Sequence, residues 1–188
     1  MKISSFVITL GLLWSGAHAQ TPSNAVAPTV NPLVTISSLD VPRYMGTWYE
    51  IAKYPNRFQK QCVADVSAEY RQQPNGSVQV TNRCRTENSK MDDAVGEARQ
   101  IGPASSPKLQ VRFAPAWLSW LPSVWGNYWV IDLDTEYQLV AVSEPNREYL
   151  WVLSRTPTVN AEAYEALLGR LKGQGFDLNR LERTKQGK

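Results

Sequence analysis

From Val63 to Tyr70 the chain alternates. Val63, Asp65, Ser67 and Glu69 share one parity; Ala64, Val66, Ala68 and Tyr70 share the other. A period of two marks a strand with one buried face. Runs rich in β-branched and aromatic residues place strands at about residues 47–54, 62–71, 77–85, 94–101, 108–113, 127–133, 137–143 and 149–155. Turn signals separate several of them. Asn75-Gly76 tolerates the positive φ of a tight hairpin, and Asp134-Thr135-Glu136 and Glu144-Pro145-Asn146-Arg147 read as turns. Residues 55–60 and 88–93 read as loops. Links this short make neighbours antiparallel, so the pattern predicts about eight strands in up-and-down order. A barrel of about eight strands is wide enough to hold one small ligand. After residue 157 the period changes. Tyr164, Leu167, Leu168 and Leu171 follow helical spacing, with Asn160 as N-cap and Gly173 or Gly175 at the end. A lone amphipathic helix of this kind buries its stripe against the outside of the barrel. Residues 39–45 are expected to form a helical turn before the first strand.

The 188 residues suffice for one domain, and 43% hydrophobic with 20% charged residues fits a globular chain. The formal charge of +3, without a Lys/Arg block, argues against nucleic acid. Residues 1–19 lie outside that domain. Lys2, an apolar run from Phe6 to Trp14 and Ala17-His18-Ala19 read as a signal peptide, and the run is too short to span a bilayer. The protein is therefore expected to be exported. No Cys follows the expected cleavage site, which favours a periplasmic protein, or one peripheral to the outer membrane, over a lipid-anchored one. Residues 20–38, rich in Thr, Pro, Ser and Ala, are expected to be a flexible leader, and 39–188 the domain. His18 is the only His and leaves with the signal. That removes Ser-His-Asp and Cys-His catalysis and His-ligated metal or haem. No cofactor or metal is expected. Gly-x-Ser-x-Gly, Cys-x-x-Cys and a phosphate-cradling Gly loop are absent from the sequence.

Two stretches carry a resemblance. Gly46-Thr47-Trp48-Tyr49-Glu50-Ile51-Ala52 opens the first strand, and Leu153-Ser154-Arg155-Thr156-Pro157 ends the last. Together, at this spacing, they resemble the lipocalin signature, closest to the bacterial lipocalin and apolipoprotein D branch, over residues 39 to about 181. The resemblance implies an all-β, eight-stranded calyx with a C-terminal helix outside. It also implies non-enzymatic storage or transport of a hydrophobic ligand, a fatty acid or lysophospholipid, linked to outer-membrane maintenance. Gly46, Trp48 and Arg155 would close the base, with the guanidinium on the indole face.

If Arg155 points inward, alternation turns Leu153, Trp151 and Tyr149 inward too. The resemblance puts Tyr128, Val130 and Asp132 on one inward face, and Val140 and Val142 on another. Tyr128, Val130, Val140, Val142, Tyr149 and Trp151 are the expected ligand lining. The loop at 114–126 holds Trp117, Trp120 and Trp125, which are expected at the mouth with Phe58. Two readings of it compete: a lid packed on the rim, or a lip touching a membrane surface. Cys62 and Cys84 fall near the far ends of neighbouring strands in an exported chain and are expected to form a disulfide. The rival is a reactive thiol. Asp132, Asp134 and Glu50 are expected to be structural or to orient a polar head group rather than act as a glycosidase pair. Other functions remain open: a carrier of haem or another planar ligand, a lipid-modifying enzyme using a calyx Cys or acid, and a filled barrel acting as an inhibitor.

Overall fold

A computed structural model describes residues 31–187. The strands are β1 (Gly46–Lys53), β2 (Cys62–Gln72), β3 (Val78–Thr86), β4 (Met91–Gln100), β5 (Lys108–Arg112), β6 (Gly126–Leu133), β7 (Leu139–Ser143), β8 (Leu150–Ser154) and a short β9 (Glu182–Arg183). Each of β2 to β7 pairs antiparallel with the next, β8 pairs with β1, and β1 pairs back with β2. The first eight strands thus form a closed up-and-down barrel. Helix α1 (Val41–Tyr44) precedes it and α2 (Ala161–Gly173) follows it.

Two apolar clusters divide the packing. The inner one contains Trp48, Tyr70, Val80, Ala98, Leu109, Val130, Val140, Val142 and Leu153. The outer one joins Ile51, Ala52, Ile131, Ala141, Leu150 and Val152 to Tyr164, Leu167 and Leu171 of α2. Two bulges feed it. Register shifts between Glu50 and Ala52 on β1, and between Val130 and Asp132 on β6, break strict alternation. Asn160 caps α2 by accepting from the Ala163 amide at 3.0 Å. At the other end Gly175, at φ 87°, lets the Gly175 and Phe176 amides reach the Lys172 and Leu171 carbonyls.

The wall is not made by hairpins alone. β1 pairs with β2 only over Gly46–Tyr49. Beyond that the tail takes over. Ala52 and Lys53 pair with β9, the Asp65 amide donates to the Lys185 carbonyl at 2.8 Å, and Gln186 Nε2 donates to the Glu50 and Val66 carbonyls at 2.7 and 2.9 Å. Residues 182–187 therefore fill a seam between β1 and β2.

Several expectations need correction. The leader was expected to be loose through residue 38, but from residue 31 it is docked. Leu33 is buried in the outer cluster and the Ile36 amide donates to the Val130 carbonyl at 3.1 Å. The second half of the expected loop at 88–93, from Met91 to Asp93, is strand. The Thr86 amide bonds to the Lys90 carbonyl, and Ser89 takes φ 58°, so the β3–β4 turn is tight. The expected leader at 20–30 and signal peptide lie outside the described residues.

Candidate functional site

The base of the barrel is built around Trp48, which has no exposed surface. Its indole N–H donates to the Tyr44 carbonyl at 2.9 Å, tying it to α1. The Arg155 guanidinium lies 4.0 Å from the indole centre. The same guanidinium donates to three carbonyls: Tyr137 at 3.2 Å, Thr47 at 3.1 Å and Arg43 at 2.7 Å. From the end of β8 it thereby ties together the β6–β7 turn, the first strand and the entry helix. Gly46 takes φ 94°, and a Cβ there would lie 3.3 Å from Arg155 Nη1. Backbone conformation and crowding both favour glycine at that position.

Above the indole three tyrosines meet. Tyr128 Oη lies 2.8 Å from Tyr44 Oη and 2.9 Å from Tyr70 Oη. Burial pushes the Tyr70 hydroxyl up to about 12 and holds Tyr44 and Tyr128 well above the ordinary phenol value. The cluster is neutral at every physiological pH and serves as polar packing.

Accessibility along the inward faces then changes steeply. Val130, Val140 and Val142 have no exposed surface, so three of the expected lining residues form a sealed floor and not an open wall. Higher up, Ala94 is exposed although β4 turns it to the same side as Ala98 of the inner cluster. Phe113 continues the inward parity of Leu109 and Val111 and is 43% exposed. Its ring lies against Gly96, where a Cβ would stand 2.7 Å from Phe113 Cδ1. The same Cβ would stand 2.6 Å from the Arg112 carbonyl, so ring and backbone together leave no room for a side chain at Gly96. Across the opening, Trp151 stacks on Tyr149 with ring centres 5.8 Å apart, and Tyr149 lies 5.4 Å from Phe58, which is 54% exposed. The upper barrel is thus an aromatic rim above an aliphatic floor.

One polar chain crosses this wall. Trp151 Nε1 donates to Gln59 Oε1 at 3.0 Å, Gln59 Nε2 donates to Glu50 Oε2 at 2.7 Å, and Thr184 Oγ1 donates to Glu50 Oε1 at 2.5 Å. Glu50 is 2% exposed. Burial raises its carboxyl above the usual range, opposed by the Thr184 and Gln59 hydrogen bonds.

Three sequence expectations fall elsewhere. Asp132, expected inward, is turned out by the β6 bulge and takes a two-pronged bond from Arg170 of α2, at 2.6 and 2.9 Å. Trp125, expected at the mouth, lies between Arg99 and Arg112 at 3.9 and 5.2 Å, cations borne on the outward parity of β4 and β5. Trp117 and Trp120 are 74% and 75% exposed and do not fold down as a lid. Cys62 and Cys84 are joined in a disulfide with Cα atoms 5.5 Å apart, which leaves neither thiol free. Phe113 and Gln59 were not singled out from the sequence. The aromatic at the parity of Leu109 and Val111 was the available signal for Phe113; Gln59, in a loop, gave none.

The family model for a lipocalin-like domain matches residues 39–186. The chain belongs to the lipocalin family. This lipocalin is 39% identical over 153 residues to temperature-induced lipocalin-1 of Arabidopsis thaliana, covering 80% of this chain and 81% of that one. It is 33% identical over 180 residues to the outer membrane lipoprotein Blc of Citrobacter freundii, covering 95% and 93%. Among solved structures it resembles insecticyanin from the tobacco hornworm Manduca sexta, with a TM-score of 0.62 at 18% identity over 86% of each chain. That likeness concerns the fold.

Proposed function

We propose that this lipocalin binds a long-chain fatty acid or lysophospholipid non-covalently in the upper half of the barrel. The observation that carries the reading is the gradient of burial along the inward faces. The floor is closed to water at Val130, Val140 and Val142, while Phe113, Phe58 and Ala94 above it are open. Apolar side chains left open to water around the barrel mouth favour an alkyl chain, by about 0.8 kcal/mol per CH₂ buried. Trp151, Tyr149, Phe58 and Phe113 form the sides of that mouth; Tyr128 and the three valines lie beneath. The Glu50–Gln59–Trp151 chain offers a polar contact beside the opening for a ligand head group. The expected signal peptide and the Blc relative, an outer membrane lipoprotein by name, support a place in the cell envelope and a role in handling envelope lipids.

Denaturing the protein purified from its own compartment and identifying released lipids by mass spectrometry tests the reading. Acyl lipids in near-stoichiometric amount are expected; a coloured planar compound or nothing at all overturns it. Titration with a fluorescent long-chain fatty acid gives a second readout, in which Phe113→Ala weakens binding about tenfold.

A further inference from the structure

Among the described residues the two most exposed large hydrophobic side chains, Trp117 and Trp120, lie three apart in one loop. Two short turns of 3-10 helix, Ala116–Leu118 and Pro122–Val124, build the loop that carries them. In such turns residues three apart lie on one side. Leu118 and Leu121, three apart, are half-buried, and Trp117 and Trp120, also three apart, are 74% and 75% exposed. The larger, more amphipathic pair is thus held outward and the smaller pair inward. The loop does not expose the indoles through slackness. The Leu118, Ser119, Leu121, Val124 and Trp125 amides donate to carbonyls within it, and Trp125 Nε1 donates to the Ser119 carbonyl at 2.8 Å. Trp125 is clamped in turn by Arg99 and Arg112.

We propose that this tip is a docking surface for the headgroup region of a phospholipid bilayer, entered by Trp117 and Trp120 and indifferent to the charge of the lipid. Three observations fix the occupant. No Lys, Arg, Asp or Glu occurs from residue 113 to residue 131, so nothing at the tip selects an anionic surface or resists entry into an apolar one. The loop's internal hydrogen bonds remove amides that lipid would leave without partners. Indole, an apolar ring with one N–H, suits the boundary between headgroups and acyl chains. In an up-and-down barrel the β5–β6 loop shares its end with the opening, so docking brings the chamber to the membrane. The choice of lipid over a protein partner leans on the acyl-ligand reading; the contact itself does not.

The test uses the full chain with vesicles of dioleoylphosphatidylcholine, with and without bromine on the acyl chains. Wild type is expected to partition, with a blue shift and bromine quenching of Trp emission. The W117S/W120S variant should partition about tenfold less or weaker still, with an unchanged melting midpoint and unchanged fatty-acid affinity in solution. Adding anionic lipid should alter wild-type partition little. Equal partition of wild type and variant overturns the proposal. So does binding that needs anionic lipid and vanishes with salt, which would point to Arg57 and Lys60. A lipid-free dimer in sedimentation that W117S/W120S dissolves assigns the tip to a second copy instead. Failure to release any acyl lipid from the chamber, with Trp-dependent vesicle binding intact, removes the carrier reading and leaves this one standing.

Discussion

Arg155 does at one point what several residues would otherwise share. Its guanidinium takes three carbonyls and one indole face. Arg155→Ala is expected to cost about 2–4 kcal/mol in denaturant unfolding, more than a surface change, because three carbonyls lose a charged donor. Arg155→Lys should recover only part, since an ammonium lacks the planar fork. The sequence offers the two residue types, and the family resemblance suggests that they meet. The clamp also depends on Tyr137 taking φ 58°, a conformation no local signal announces for a bulky side chain. Glu50 gives a pH test. Its carboxyl is raised by burial, so the folded state holds the proton more tightly than the unfolded chain. The associated stability is full below the ordinary glutamate range and is lost as pH rises through the folded value. Glu50→Gln should flatten that part of the melting-midpoint profile and melt above wild type at neutral pH. A profile unchanged in slope would show that Glu50 is charged at no cost.

At the level of elements, the helix and the disulfide carry the clearest expectations. Leu171 of α2 has no exposed surface in the outer cluster. Leu171→Ala should cost about 2–5 kcal/mol. The Cys62–Cys84 bridge spans 22 residues, and replacing both by Ser should cost about 3 kcal/mol, read as a shifted chemical midpoint. Strands and helix were legible because their periods differ and their turns carry Asn, Gly and Pro. The start of β4 was not, since Asp92 and Asp93 read as loop yet pair with Cys84 and Arg83. Hydrogen bonding across the tight β3–β4 turn overrides their poor strand preference. The bulge that turns Asp132 outward was equally silent. It needs the partner strand for its definition, and alternation alone assigns the wrong face. β9 is two residues long, below what any periodic signal resolves.

For the whole molecule, up-and-down order and an outside helix followed from the sequence, but the contrast between the buried valines Val130, Val140 and Val142 and the exposed Phe58 and Phe113 did not. Parity says which side chains face inward; only packing says which of them leave room. The tail seam has a further consequence for how the protein is made. Thr184 and Gln186 bond to Glu50 and its carbonyl across sequence separations of 134 and 136 residues. A nascent chain can form every hairpin from β2 to β8 and still have a gap in its side, since residues 182–187 follow all of those strands in the chain. Chains arrested at residue 181 should stay open to proteolysis between β1 and β2, and close only once the final stretch is free to turn back.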